Sequence, residues 1–215
     1  MKSLVIFDLD GTLLDTIADL GTATNYAMEQ MGFPTHSLHD YRFKVGNGIT
    51  KLIERALPDN HRDEATIERA REIFLGFYGT HNTDHSRPYP GIPELLSELT
   101  ARGVKVAVAS NKYHEATSRL VAHFFHDIPW TAVEGHRPGR PTKPSPQIVD
   151  DILRIAGITP GQTLYVGDSG VDMDTARAAS LESVGVIWGF RPESELRDHL
   201  ADRIATTPAD ILRYI

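Results

Sequence analysis

Cysteine is absent from the 215-residue chain, which excludes disulfides and thiolate zinc sites and permits a reducing compartment. Long apolar runs are missing too. The stretch Leu4 to Phe7, with Leu9 beyond an Asp, is too short for a signal-peptide core or a membrane span. The expectation is a mature protein that starts at Met1, contacts no membrane and resides in the cytoplasm. Basic charge is in deficit: 22 Lys plus Arg face 29 Asp plus Glu, and a net charge of -7 is the wrong sign for a surface that neutralises many phosphates. Nucleic acid is therefore not an expected partner. Internal repeats and low-complexity tracts are also lacking. Among ten histidines only His81 and His85 have the spacing with which a helix presents two imidazoles to one metal, and the residues between and after them read as loop. What remains, 40% hydrophobic and 24% charged residues, suits a soluble globular protein with one large core, or a core and a small inserted domain.

Short apolar runs recur at Leu4 to Phe7, Val104 to Ala109, Thr163 to Val166 and Val184 to Trp188, with weaker ones at Trp130 to Val133 and Arg203 to Thr206. Each is the pattern of a strand buried on both faces of a parallel sheet. Helix-like stretches alternate with them at Pro93 to Arg102, Glu115 to Phe125, Pro146 to Ala156, Val171 to Ala179 and Pro208 to Tyr214, several opened by Pro or closed by Gly. This alternation predicts a doubly wound α/β sheet that binds its ligand at the carboxyl ends of strands. Residues 16 to 82 offer helical periods only, at Ala18 to Met31, Ile49 to Leu57 and Ala65 to Tyr78, and so predict an all-helical insertion. Arg87-Pro88-Tyr89-Pro90-Gly91 is a stiff segment of the kind that joins domains.

Four motifs close four of these segments. Asp8-Leu9-Asp10-Gly11-Thr12 places two carboxylates on one side of an extended chain, where one can attack as nucleophile and the other serve as general acid and base; the plain alternative is a helix-capping loop. Ala109-Ser110-Asn111-Lys112 offers a hydroxyl and backbone N–H groups to a phosphoryl oxygen, or an ordinary helix cap. Pro141-Thr142-Lys143-Pro144 aims a cation from a stiff loop, or carries a surface Lys. In Val166-Gly167-Asp168-Ser169-Gly170-Val171-Asp172, Asp168 and Asp172 can face one point as hard oxygen ligands for Mg²⁺, or complement a helix dipole. Strand ends in such a sheet converge on one crevice, and acids gathered there raise one another's pKa unless a metal and Lys compensate. The charges therefore imply a divalent cation.

These residues, in this order, resemble the haloacid dehalogenase superfamily of phosphohydrolases over essentially the whole chain. Asp8 to Thr16, Val45-Gly46-Asn47-Gly48, Pro90-Gly91 and Trp188-Gly189 are most similar to its phosphoglycolate phosphatase-like branch. The resemblance implies a discontinuous catalytic core, residues 1–15 and 83–215, and a helical cap, residues 16–82. It implies a phosphatase for a small phosphomonoester, phosphoglycolate or a related metabolite, acting with Mg²⁺ through an aspartyl phosphate. Asp8 would be the nucleophile and Asp10 the acid and base. Ser110, Lys143 and the backbone N–H groups of Leu9 and Asn111 would hold the phosphoryl group. The metal set would be the Asp8 side chain, the Asp10 carbonyl and Asp168, with Asp172 ordering them. The cap would choose the substrate through Arg42, Lys44, Gly46 and Asn47, unless that loop is a plain helix-to-helix turn.

A β-phosphoglucomutase-like phosphotransferase shares all four motifs and stays open. Phosphonatase members use a cap Lys, for which Lys44 and Lys51 are available, but their first motif differs. A phospho-acceptor regulatory module without turnover uses similar groups, yet needs no helical insertion. Gly135 to Arg140, with His136, Arg137 and Arg140, departs from the acidic, Asn- and Pro-rich run of close phosphoglycolate phosphatases. That departure argues against strict glycolate specificity; the segment is a solvated loop or a reader of a second anionic group. Oligomeric state is left open.

Overall fold

The computed structural model describes residues 2–215; the expected start at Met1 lies outside them. The chain runs from β1 (Leu4–Phe7) through β2 (Leu14–Asp15) into helices α1 (Ile17–Gln30), α2 (Leu38–Lys44), α3 (Ile49–Ala56) and α4 (Glu64–His81), and returns through β3 (Arg87–Pro88). Then follow α5 (Ile92–Ala101), β4 (Lys105–Tyr113), α6 (His114–Phe124), β5 (Ala132–His136), α7 (Gln147–Ala156) and β6 (Thr163–Gly167). The chain closes with α8 (Gly170–Ala178), β7 (Glu182–Val186), α9 (Glu193–Asp198), β8 (Arg203–Ala205) and a 3₁₀ segment, Pro208–Tyr214.

Six strands form a parallel sheet in the order β5-β4-β1-β6-β7-β8, while β2 and β3 pair separately. Alternation along β1 decides which layer each residue joins. Val5 and Phe7 pack with α5, α6 and Ile211, whereas Leu4 and Ile6 pack with α7 and α8. Both faces are covered, so the central strands β1 and β6 are buried along their whole length, as the sequence predicts for a doubly wound sheet. Strand order reverses around β1, with β4 and β5 on one side and β6 to β8 on the other, and a ligand crevice opens at such a reversal.

The chain divides into two compact units, residues 1–15 with 88–215, and residues 16–87. In the helical unit α1 packs on α4, and α2 and α3 lie between them in the chain. Its end lies at Arg87 rather than 82 because Asp19 of α1 accepts from the His85 and Ser86 N–H groups and the Ser86 hydroxyl at 2.7 to 2.9 Å. Among the described residues no helix is long and apolar enough to cross a membrane.

Several boundaries differ from the sequence expectation. The strand expected at Val184 to Trp188 starts at Glu182, and Trp188 leaves it to donate its indole N–H to Thr12 O at 3.0 Å. The one expected at Trp130 begins at Ala132, since Trp130 packs on Phe125 instead. Helices α2 and α9 were not expected; both are short and carry little apolar periodicity, and α2 is set by a Ser37–Asp40 cap. β4 runs on through Tyr113, with its pairing to β5 shifting register between Ala109 and Tyr113. That irregularity matters below, because Ser110, Asn111 and Lys112 lie within it.

Candidate active site

The ladder between β1 and β6 extends one bond beyond Phe7, the Asp8 N–H donating to Val166 O at 2.9 Å. Asp8 therefore projects from the carboxyl edge of the sheet at the strand reversal. Beyond it Gly11 turns the chain with φ +88°, and a Cβ there would collide with the Asp168 carboxylate. Only glycine meets both demands, and the turn brings Thr12 back so that its hydroxyl donates to Asp168 Oδ1 at 3.2 Å. The Phe190 N–H donates to Asp168 Oδ2 at 2.7 Å. Two distant segments thus fix the carboxylate at the end of β6.

Lys143, 3% exposed, stands at the centre. Its ammonium donates to Asp172 Oδ1 at 2.7 Å, Ala109 O at 2.9 Å and the Tyr165 hydroxyl at 3.1 Å. These take its three protons. Asp8 Oδ1 lies 3.0 Å from the same nitrogen, close enough to pair in charge, but it is buried and has no aligned hydrogen-bond donor. The Lys peptide is clamped by Asn111, whose side-chain oxygen accepts from Lys143 N at 2.7 Å and whose amide donates to Lys143 O at 3.2 Å. Ser110 sits beside this clamp, buried, its Oγ accepting from Lys112 N at 3.2 Å. Leu9 is fully buried, and its carbonyl accepts the Leu13 and Leu14 N–H groups that close the turn after β1.

Asp8, Asp168 and Asp172 each present a carboxylate oxygen, all within 4.8 Å of one another. Burial raises Asp8 to about 7, Lys143 opposing and the neighbouring acids adding to the rise. Asp168 is likewise pushed well above the carboxylate range by burial and by Asp172 and Asp8, against the pull of Phe190 N–H and Thr12. Burial works against the Lys143 cation, yet Asp172 and Asp8 outweigh it and hold the ammonium charged. One lysine does not balance three buried acids, and the undonated Asp8 Oδ1 is the kind of atom a cation satisfies. Asp172 differs from the other two, since Lys143 and Tyr165 donate to its Oδ1 and the Ser169 N–H and hydroxyl to its Oδ2. Its lone pairs are engaged, which makes it the anchor of Lys143. The donor set of Asp8 and Asp168 is hard oxygen and fits Mg²⁺.

The Asp10 side chain does not join this cluster. Both of its oxygens instead accept from Lys112 Nζ, at 2.9 and 3.0 Å. In the helical unit, Lys44 donates to Arg55 O at 3.0 Å and Arg55 donates to Asn47 Oδ1 at 2.9 Å, while Arg42 lies in the last turn of α2 and Gly46 turns with φ +113°. The basic segment before Lys143 is matched by acids: Arg137 pairs with Glu134 and contacts His114 Nε2, and Arg140 pairs with Asp151. His81 ends α4 and pairs with Asp84, and His85 lies beyond that helix, so the two histidines do not share a helical face.

Four groups at the site had no role assigned from sequence: Thr12, Tyr165, the Phe190 N–H and Lys112. Tyr165 left one trace, a hydroxyl-bearing ring between Leu164 and Val166 in a fully buried strand, where such a hydroxyl needs a partner. Phe190 acts through its backbone, which no side-chain pattern reveals.

Residues 5–186 match the family model of the haloacid dehalogenase-like hydrolases. Phosphoglycolate phosphatase of Pseudomonas syringae pv. tomato is 34% identical over 91% of this chain and 74% of its own, and that of Nitrosococcus oceani 32% identical over 97% and 94%. A crystal structure of a phosphoglycolate phosphatase candidate from Lactobacillus delbrueckii subsp. bulgaricus superposes with a TM-score of 0.93 at 31% identity, covering 100% of this chain and 99% of that one. With the motif residues lodged at one strand reversal and the family match spanning most of the sequence, the chain belongs to the haloacid dehalogenase-like hydrolases.

Proposed function

We propose that the protein is a Mg²⁺-dependent phosphatase of small phosphomonoesters, phosphoglycolate or a close relative among them, working through an aspartyl phosphate on Asp8. The observation that carries this is the pairing of a charged, buried Lys143 with Asp8, whose Oδ1 lacks a hydrogen-bond donor. An oxygen so placed is available both to phosphorus and to a cation.

In the first half-reaction an Asp8 oxygen bonds to phosphorus, the bond from phosphorus to the ester oxygen breaks, and Asp10 gives that oxygen its proton. In the second, Asp10 takes a proton from water, the water oxygen bonds to phosphorus, and the Asp8–phosphorus bond breaks to release phosphate. Lys143, the Ser110 hydroxyl and the N–H groups of Leu9 and Asn111 hold the transferring oxygens. The side chains of Asp8 and Asp168 and the carbonyl of Asp10 would hold the ion, with Asp172 behind them anchoring Lys143. When bound, Mg²⁺ supplies the positive charge that lets these acids stay ionised beside a phosphoryl group. Ester selectivity is assigned to the helical unit through Arg42, Lys44, Gly46 and Asn47, and the enzyme to the cytoplasm. The matched charges of Arg137 and Arg140 favour reading the basic segment as a paired loop.

The test is turnover of para-nitrophenyl phosphate and of a panel containing phosphoglycolate, sugar phosphates, pyrophosphate and nucleotides. Activity is expected with Mg²⁺ and lost on chelation. Asp8→Asn should lower it by about a thousandfold or more with cooperative unfolding retained, and Asp10→Asn should accumulate a phosphorylated chain visible as a mass shift. Undiminished turnover in Asp8→Asn would overturn the reading, and an isomerised sugar phosphate as sole product would make the enzyme a mutase.

A further inference from the structure

The Asp10 carboxylate is bridged by Lys112 through both oxygens, and the two side chains are 12% and 7% exposed. A surface ion pair between flexible chains fixes little, but this one is nearly dry and held at both ends. Asp10 leaves the sheet three residues after Phe7, and Lys112 four after Val108, the residue that pairs with Phe7 in the adjacent strand. The two thus emerge side by side from neighbouring strands. The backbone of Lys112 is pinned in turn: its N–H donates to Ser110 Oγ, and its carbonyl accepts the Thr117 hydroxyl at 3.3 Å. A Cβ on Gly135 would come within 2.6 Å of that carbonyl, so the neighbouring strand also packs tightly against it. The register irregularity of β4 lies over this segment, from which the Lys112 side chain reaches Asp10.

We propose that Lys112 is a positioning residue for the proton-transferring group of the reaction: by holding both oxygens of Asp10 it fixes the plane of that carboxylate toward the reacting ester oxygen and water. The inference rests on the reading of Asp10 as acid and base. A carboxylate free to rotate about its terminal bond spends much of its time with neither oxygen aligned for transfer, and proton transfer depends on that alignment. Lys112 acts through Asp10. Its effect grows with the need of the leaving oxygen for a proton: a phenolate requires more help than a para-nitrophenolate of nearly the same size.

The experiment measures kcat/KM for phenyl phosphate and para-nitrophenyl phosphate in the parent protein and in Asp10→Asn, Lys112→Met and Lys112→Arg. The ratio of the two substrates on one preparation is independent of how much of it is folded, so a variant that folds poorly still gives an answer. Asp10→Asn is expected to lose more on the phenyl ester. Lys112→Met should lose in the same sense, with a phenyl-specific penalty of about fivefold carried mainly by kcat, and Lys112→Arg should recover most of it. Equal losses on both esters in Lys112→Met, or no narrowing by Lys112→Arg, would overturn the role of Lys112 while leaving Asp10 untouched. Equal losses in Asp10→Asn would instead remove the reading on which it rests.

Discussion

Asp8 shows most directly how burial is turned to use. In the folded chain its carboxyl is raised to about 7, against an ordinary 3.8, so across that window the folded state keeps a proton that the unfolded state has lost. The stability tied to that proton is present at acid pH and disappears as pH climbs through the folded value. Without divalent ions the melting temperature should therefore fall by a few degrees between about pH 5.5 and pH 8, and Mg²⁺ should raise it more at the alkaline end. Asp8→Asn should weaken both trends, Asp168, which burial raises likewise, carrying the remainder; a variant that keeps them in full would assign the effect to other groups. Asp8, Ser110 and Asp168 were legible in the sequence because each stands where an apolar run stops, and Lys143 because two prolines flank its loop. Lys112 and Tyr165 were not, since a Lys inside a quoted motif and a Tyr inside a strand have ordinary structural explanations until their partners are seen.

At the scale of elements, the site depends on irregularity at the ends of regular strands. The strands and helices of the sheet unit could be read from apolar runs and Gly or Pro punctuation, but their ends moved by a few residues. Glu182 and Glu134 lie within strands because backbone pairing continues past the apolar stretch. The turn after β1 is the tightest of these features. Gly11→Ala would force a side chain into a left-handed φ and against Asp168 at once. We expect a loss of about 1–3 kcal/mol in denaturant unfolding, together with weaker Mg²⁺ binding in a calorimetric titration because Asp168 must shift. A variant with normal stability and normal affinity would show that the turn tolerates a Cβ.

On the scale of the whole molecule, the chain divides into two compact units. The helical insertion was legible as a block without strands, while its far boundary was not, because the contacts of Asp19 with His85 and Ser86 join residues far apart in the chain. The sheet unit has its own core on both faces, from segments 1–15 and 88–215. Joining Asp15 to Pro88 through a short Gly linker should therefore leave a shortened protein that unfolds cooperatively and still binds Mg²⁺, while its preference among phosphate esters broadens. Loss of cooperative unfolding would mean that the sheet unit requires residues 16–87.

The paired β2 and β3 give this division a practical side. Because the chain departs and comes back through adjoining two-residue strands, the insertion is a cassette with a single seam. On the proposal that the helical unit selects the ester, a helical module borrowed from another relative and spliced at that seam should bring its own choice of ester to the same sheet unit.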